Sequence, residues 1–212
     1  MSPERADVAA AILAGGRARR FGGADKSALR LGGLRIIDRQ LAVLSRVANP
    51  ILVVANDPAR YEGLPVRIVP DAIPDAGAIG GMYTALVESP CDRVLIVACD
   101  LPFVSDALLA RLIAESDGVD AVVPRSARGV EPLCALYTKR CAGPLAAAIA
   151  RGERRVAALP GELRVRELGP EILAAYDPDD LLFVNVNTPH DYARARAVVE
   201  LNEKPPEDRI TE

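Results

Sequence analysis

The chain contains no tryptophan, one histidine and, among its 212 residues, only 3 phenylalanines and 5 tyrosines. With His190 alone, a site built on two histidine ligands or on a triad with a second imidazole is excluded. The setting of His190 is that of a helix start: Thr188 as cap, Pro189 at the first helical position and Asp191 three residues beyond the cap. The 4 cysteines, Cys91, Cys99, Cys134 and Cys141, form no C-x-x-C pair, and three lie within or beside apolar runs. Reduced, largely buried thiols are expected. Neither sign of charge dominates: 26 basic against 29 acidic residues leave a net charge of −3, which argues against a nucleic-acid footprint. No apolar run approaches the about 18 residues that a membrane span requires, and Met1 to Asp7 has no signal-peptide pattern. A cytoplasmic location is the expectation, with neither membrane nor nucleic acid as partner.

What is present is ordinary for an α/β protein. Half of the residues are apolar, so the core must be made of Ala, Val, Leu and Ile, as strands buried on both faces prefer. Apolar runs at Val8 to Leu13, Ile51 to Ala55, Val66 to Val69, Val94 to Ala98, Ala121 to Val123 and Leu133 to Tyr137 are strand candidates. Helical spacing separates them: Ile36, Ile37, Leu41, Leu44 and Val47; a helix around Tyr83 to Val87; Leu108, Leu109, Leu112 and Ile113, capped by Ser105; then Leu145 and Ile149. Beyond Arg151 the alternation weakens into shorter strands at Leu163 to Leu168 and Phe183 to Val186, read as a mixed sheet edge, and a last helix from Pro189 to about Leu201. The pattern predicts one three-layer αβα domain over residues 1–201, with a doubly wound, mainly parallel mixed sheet and ligands beyond the carboxyl ends of its strands. Residues 202–212, polar and proline-bearing, read as a frayed tail.

The strongest local signal follows the first apolar run: Leu13-Ala14-Gly15-Gly16-Arg17-Ala18-Arg19-Arg20-Phe21-Gly22-Gly23-Ala24-Asp25-Lys26. Two glycine pairs free the backbone to bring its amides close to an anion, and Arg20 and Lys26 supply neutralising charge. A Walker loop is excluded, since Asp25 rather than glycine precedes Lys26, and no glycine stands two residues beyond Gly15 or Gly16 as a dinucleotide fingerprint requires. A nucleotide triphosphate site is predicted; the alternative is a surface turn with solvated arginines.

Two aspartates end apolar runs. Val94 to Cys99 leads into Asp100-Leu101-Pro102, and a carboxylate at a strand terminus beside a triphosphate suits magnesium, a hard ion that takes one or two carboxylates, phosphate oxygens and water. The alternative is a turn aspartate. Asp71 follows Val66 to Pro70 and could accept bonds from a base or ribose, or simply serve a turn. The glycines Gly77, Gly80 and Gly81 that follow suggest a loop passing close to a ligand.

These elements together, with Gly77-x-x-Gly80-Gly81 and Asn185-Val186-Asn187-Thr188-Pro189, closely resemble the molybdenum cofactor guanylyltransferases over nearly the whole chain. The related cytidylyltransferases usually carry Asp-x-Asp-Thr-Pro in the last element and one glycine where this chain has Gly22-Gly23; both differences point to guanine. The resemblance implies a Rossmann-like nucleotidyltransferase fold in which Leu13, Ala14, Gly15 and Gly16 line the guanine nucleotide, Lys26 contacts its phosphates, Asp71 helps to hold it and Asp100 binds Mg2+. Arg20, Lys26 and Asp100 form the implied catalytic set. Gly80, Gly81, Asn185 and Asn187 would lie at the pterin side of the cleft, helped by Arg154 and Arg155. An asparagine that contacts the nucleotide in some members aligns with Val54, with Asn56 close by, and Glu131 stands where some members have histidine.

The reaction implied joins the terminal phosphate of molybdopterin, with or without molybdenum, to the α-phosphorus of GTP and expels pyrophosphate. Molybdoenzyme chaperones or the preceding molybdenum-insertion protein are the further partners that this role suggests. The rivals are a cytidylyl- or sugar-phosphate nucleotidyltransferase on the same fold and a non-catalytic carrier of the cofactor.

Overall fold

Strand β1 (Val8–Leu13) is the axis of the molecule, and Val8 to Ile12 are all fully buried. Three of its residues are alanines with little strand preference of their own; pairing on both sides and cover on both faces hold them extended. The computed structural model describes residues 7–14, 28–154, 156 and 162–203. In it, β1 pairs in parallel with β4 (Ile51–Val54) on one side and β6 (Arg93–Ala98) on the other. Beyond β4 lies β5 (Arg67–Val69); beyond β6 come β9 (Cys134–Thr138), β7 (Ala121–Ser126) and the edge strand β10 (Val165–Leu168). Only β9 opposes its neighbours in this row, pairing antiparallel with both β6 and β7.

Side chains alternate between the two faces, as the strand period requires. Val8, Ala10 and Ile12 of β1, with Leu95 and Val97 of β6, join one apolar cluster with α1 (Ile36–Leu44), α3 (Asp106–Ala114) and α5 (Pro170–Leu173). Ala11, Val94 and Ile96 join the other, with α2 (Gly77–Glu88) and α4 (Ala142–Ala150). The doubly wound three-layer arrangement expected from the alternation is what the chain adopts. A third cluster, formed by Leu31, Ile36, Val186, Ala195 and Val199, seats α6 (Pro189–Glu203) against a small hairpin of β2 (Arg30–Leu31) and β3 (Leu34–Arg35). The hairpin turns on Gly32 and Gly33, both at positive φ, 55° and 80°, the geometry that matches the twist of paired strands. A further short strand, β8 (Gly129–Val130), pairs with β7. Strands of two residues have no periodicity to read.

Both anticipated helix caps form: Ser105 Oγ accepts the Leu108 amide at 3.3 Å, and Thr188 and Asp191 make a reciprocal pair at the start of α6, each side chain accepting the other's amide. His190 is exposed at this first turn. The cysteines are all free thiols; Cys134 and Cys141 are buried, which pushes them up to about 12 and about 11, while Cys91 and Cys99 are only partly covered.

Four expectations are corrected. Phe183 to Val186 is not a strand: Phe183 and Val186 drop into two different apolar clusters and the segment follows the core irregularly. The helix around Tyr83 begins earlier, at Gly77, so Gly77 to Gly81 is no loop. The antiparallel strand lies inside the sheet rather than at its edge, because β7 and β9 are joined by a short hairpin-like connection, while β10 returns in parallel to cover the edge. Finally, α6 continues through Glu203 into the segment read as a tail; residues 204–212 lie outside the described residues.

Candidate active site

Four strand ends meet in register. Leu13 is level with Val54 of β4 and with Ala98 of β6, and Val54 is level with Val69 of β5. The strand order reverses at β1, where one excursion leads to β4 and β5 and the next returns to β6, so a crevice opens beyond these carboxyl ends. The glycine-rich segment leaves from this point. Gly15, Gly16, Arg20 and Lys26, like Arg155, lie outside the described residues.

Asp71 and Asp100 stand on opposite sides of β1, at the ends of β5 and β6. Three strand spacings separate those two strands, roughly 14 Å. Asp71 is gripped by Asn56, which follows β4: the Asn56 Nδ2 donates to Asp71 Oδ2 at 2.7 Å, and Asn56 Oδ1 accepts the Asp71 amide at 2.8 Å. The next amide, of Ala72, donates to Thr84 Oγ1 at 2.9 Å, and that hydroxyl donates to Gly80 O within α2. Burial pushes the Asp71 carboxyl above the ordinary aspartate value, with the Asn56 hydrogen bond pulling the other way.

Asp100, partly buried, sits in the turn that leaves β6. The Cys99 amide donates to Leu13 O at 3.1 Å, keeping this turn beside the end of β1, and the Val186 amide donates to Asp100 O at 2.9 Å. That bond, with Val186 packed in the third apolar cluster, brings the segment containing Asn185 and Asn187 to the site. Asn185 is exposed there, while the Asn187 amide donates to Asp191 Oδ2 at 3.1 Å. Ala14 is fixed by its amide bond to Val54 O at 2.9 Å and by the Tyr61 hydroxyl donating to its carbonyl at 3.4 Å.

Gly80 and Gly81 do not present backbone to the crevice as a loop would. Both are buried in α2. A Cβ on Gly80 would stand 2.5 Å from Ala76 Cβ, and one on Gly81 would stand 3.5 Å from a methyl of Leu13. The missing Cβ of Gly80 leaves room for Ala76 at the start of the helix, and Gly81 faces the Leu13 side chain at the end of β1. Gly77, at φ 68°, faces the Arg154 carbonyl oxygen, 2.8 Å from where its Cβ would be, so the segment that carries Arg154 lies against the first turn of α2. The Arg154 guanidinium itself bonds the Glu153 carbonyl at 2.9 Å. Glu131 accepts from Ser126 Oγ at 2.7 Å, a bond that braces the β7–β8 hairpin.

Sequence reasoning passed over Gln40 and Thr84. The available signal for Gln40 was a polar residue in the apolar stripe of α1, between Ile36, Ile37 and Leu44.

A mostly parallel sheet with its switch point at β1 and helices on both faces defines the class: a doubly wound, Rossmann-like α/β domain. Residues 10–166 match the MobA-like NTP transferase domain family. A molybdenum cofactor guanylyltransferase of Desulfosudis oleivorans is 35% identical over 193 residues, covering 91% of this chain and 96% of that protein. A probable molybdenum cofactor guanylyltransferase of Chloroflexus aggregans is 37% identical over 88% of this chain and 92% of its own length. The crystal structure of molybdopterin-guanine dinucleotide biosynthesis protein A from Archaeoglobus fulgidus superposes with a TM-score of 0.78 at 30% identity, covering 91% of this chain and 98% of that one. The chain belongs to the MobA-like NTP transferase family and is a nucleotidyltransferase. No helix among the described residues is long and apolar enough to cross a membrane.

Proposed function

We propose that this chain transfers GMP from GTP to the terminal phosphate of molybdopterin, with or without bound molybdenum, forming the guanine dinucleotide form of the cofactor. The observation that carries this reading is the level meeting of four strand ends, with Asp71 and Asp100 on either side of the strand that feeds the glycine-rich segment. The relatives named as guanylyltransferases supply the choice of guanine and pterin. An oxygen of the acceptor phosphate attacks the α-phosphorus of GTP; that P–O bond forms as the bond to the β-phosphate oxygen breaks, and pyrophosphate leaves with the electron pair. The acceptor is already anionic, so the barrier lies in charge repulsion and alignment rather than in proton removal.

On this reading Leu13, Ala14, Gly15 and Asp71 hold the nucleoside. The Gly15 and Gly16 amides with Arg20 and Lys26 neutralise the phosphates. Asn185 and Asn187, with Arg154 and Arg155, face the pterin. Among the described residues no three His, Cys, Asp or Glu side chains cluster as a metal cage. A single strand-end carboxylate does fit Mg2+, which completes its octahedron with phosphate oxygens and water. Asp100 is the residue that would hold it, and the ion when bound offsets phosphate charge as a Lewis acid.

Pyrophosphate release measured with GTP, CTP, ATP and UTP, each with and without molybdopterin, tests the reading. Release from GTP that requires the pterin is expected. Preference for CTP would overturn the guanine assignment, and no release from any nucleotide would overturn the transfer reaction.

Asn56 gives a second test through pH. Its hydrogen bond favours the ionised Asp71, so Asn56→Ala raises the pKa of a carboxyl that burial has already raised. The carboxylate form is then lost at a higher pH on acidification. The acid limb of kcat/KM for GTP is expected to move to higher pH in the variant, with a plateau value lower by about 3- to 10-fold, the worth of an ordinary hydrogen bond. An unmoved acid limb would separate Asp71 from nucleotide binding.

A further inference from the structure

Gln40 is fully buried in α1, on the stripe that otherwise holds Ile36, Ile37 and Leu44. Its Nε2 donates to Ala98 O at 2.8 Å and to Leu101 O at 2.9 Å. Both protons of the amide are therefore spent on the two carbonyls that bracket Cys99 and Asp100. Its Oε1 has no hydrogen-bond partner among the described residues. An unpaired buried amide oxygen is costly, and an apolar residue of the same size would avoid that cost. What an apolar residue cannot do is hold the turn. Leu101 is itself buried and its carbonyl accepts from this donor, while the Ala98 carbonyl also receives the Leu101 amide at 3.3 Å. With Val186 donating to Asp100 O, carbonyls 98, 100 and 101 are all engaged, two from inside the core and one from the segment above.

We propose that Gln40 is a positioning residue for Asp100: it locks the turn between β6 and the following loop so that the Asp100 carboxylate is held over the crevice. The inference rests on the reading of Asp100 as the metal-holding, phosphate-side carboxylate.

Gln40→Met keeps the length and bulk of the side chain and removes both donors; Gln40→Leu serves the same measurements should the methionine variant fold poorly. Circular dichroism first establishes the fold. Mn2+ binding to the protein with GTP, read by electron paramagnetic resonance without turnover, is expected to weaken about 10-fold. With molybdopterin, kcat is expected to fall about 10- to 100-fold with KM for GTP little changed, the pattern of a misplaced rather than a missing group. Asp100→Ala with and without the Gln40 substitution completes a cycle. If Gln40 acts through Asp100, the double variant is no slower than Asp100→Ala alone. Multiplying effects, or a Gln40 variant with a lower melting temperature but unchanged Mn2+ affinity and kcat, would overturn the proposal and leave the reading of Asp100 standing. Should Asp100→Ala itself bind Mn2+ and turn over normally, the reading of Asp100 fails and the proposal falls with it.

Discussion

Asp100→Ala is expected to lower kcat by about 10²- to 10³-fold, the loss seen when a group that stabilises charge in a transition state is removed, while leaving the fold in place. The second half of that expectation comes from the way the turn is built. Several main-chain groups shape it: the Ala98 and Leu101 carbonyls accept from Gln40, the Asp100 carbonyl accepts from the Val186 amide, and the Cys99 amide donates to Leu13 O. Alanine keeps all of them. The melting temperature should therefore fall by only about 2–4 °C, the effect of losing about 1 kcal/mol in a chain of this size, and turnover should fall at saturating GTP and magnesium. A variant that retains wild-type kcat at saturating magnesium would rule out the metal assignment.

Gly77→Val is expected to have the largest effect on stability. Gly77 opens α2 at φ 68°, a conformation that strains any β-branched residue, and its Cβ would lie 2.8 Å from the Arg154 carbonyl oxygen. The obstacle is backbone, so no side chain can swing aside. Backbone strain of about 1–3 kcal/mol and overpacking of about 1–3 kcal/mol add to roughly 2–6 kcal/mol, which for a chain of this size lowers the melting temperature by about 5–20 °C. Gly33 is the internal comparison. It has a similar φ of 80° but no heavy atom within 4 Å of its Cβ position, so Gly33→Val should show only the strain, at most about half the shift. If folded Gly77→Val can be assayed, its KM for molybdopterin should rise more than its KM for GTP, because the displaced segment bears Arg154. Equal melting temperatures for the two variants would show that the contact with Arg154 is not rigid.

Legibility differed sharply between elements. The main strands could be read because each is an apolar run bounded by turn residues, and Val8–Leu13 was placed to the residue. Ser105 and Thr188 could be read because caps act over three residues. Gly77 to Gly81 could not. Three glycines in five residues argue against a helix by propensity, yet packing of Gly81 against Leu13 and the Thr84 hydroxyl bonds hold α2 together. Asp71 was singled out, and Asn56 was named only as a neighbour of Val54; the bond between the two was not foreseen. Asn56 lies 15 residues away, and nothing in its local pattern predicts that meeting.

By itself, then, the sequence determined the alternation of buried strands and amphipathic helices, the glycine-rich segment after β1 and the aspartates at strand ends, because burial period, turn chemistry and capping act over a few residues. The tertiary structure alone decided that β9 runs antiparallel inside the sheet, that Asn56 clasps Asp71, and that Val186 and Gln40 lock the turn of Asp100, the latter across 58 and 61 residues. Those contacts depend on where the chain returns after each crossover, a consequence of packing two helix layers on one twisted sheet that no local periodicity encodes.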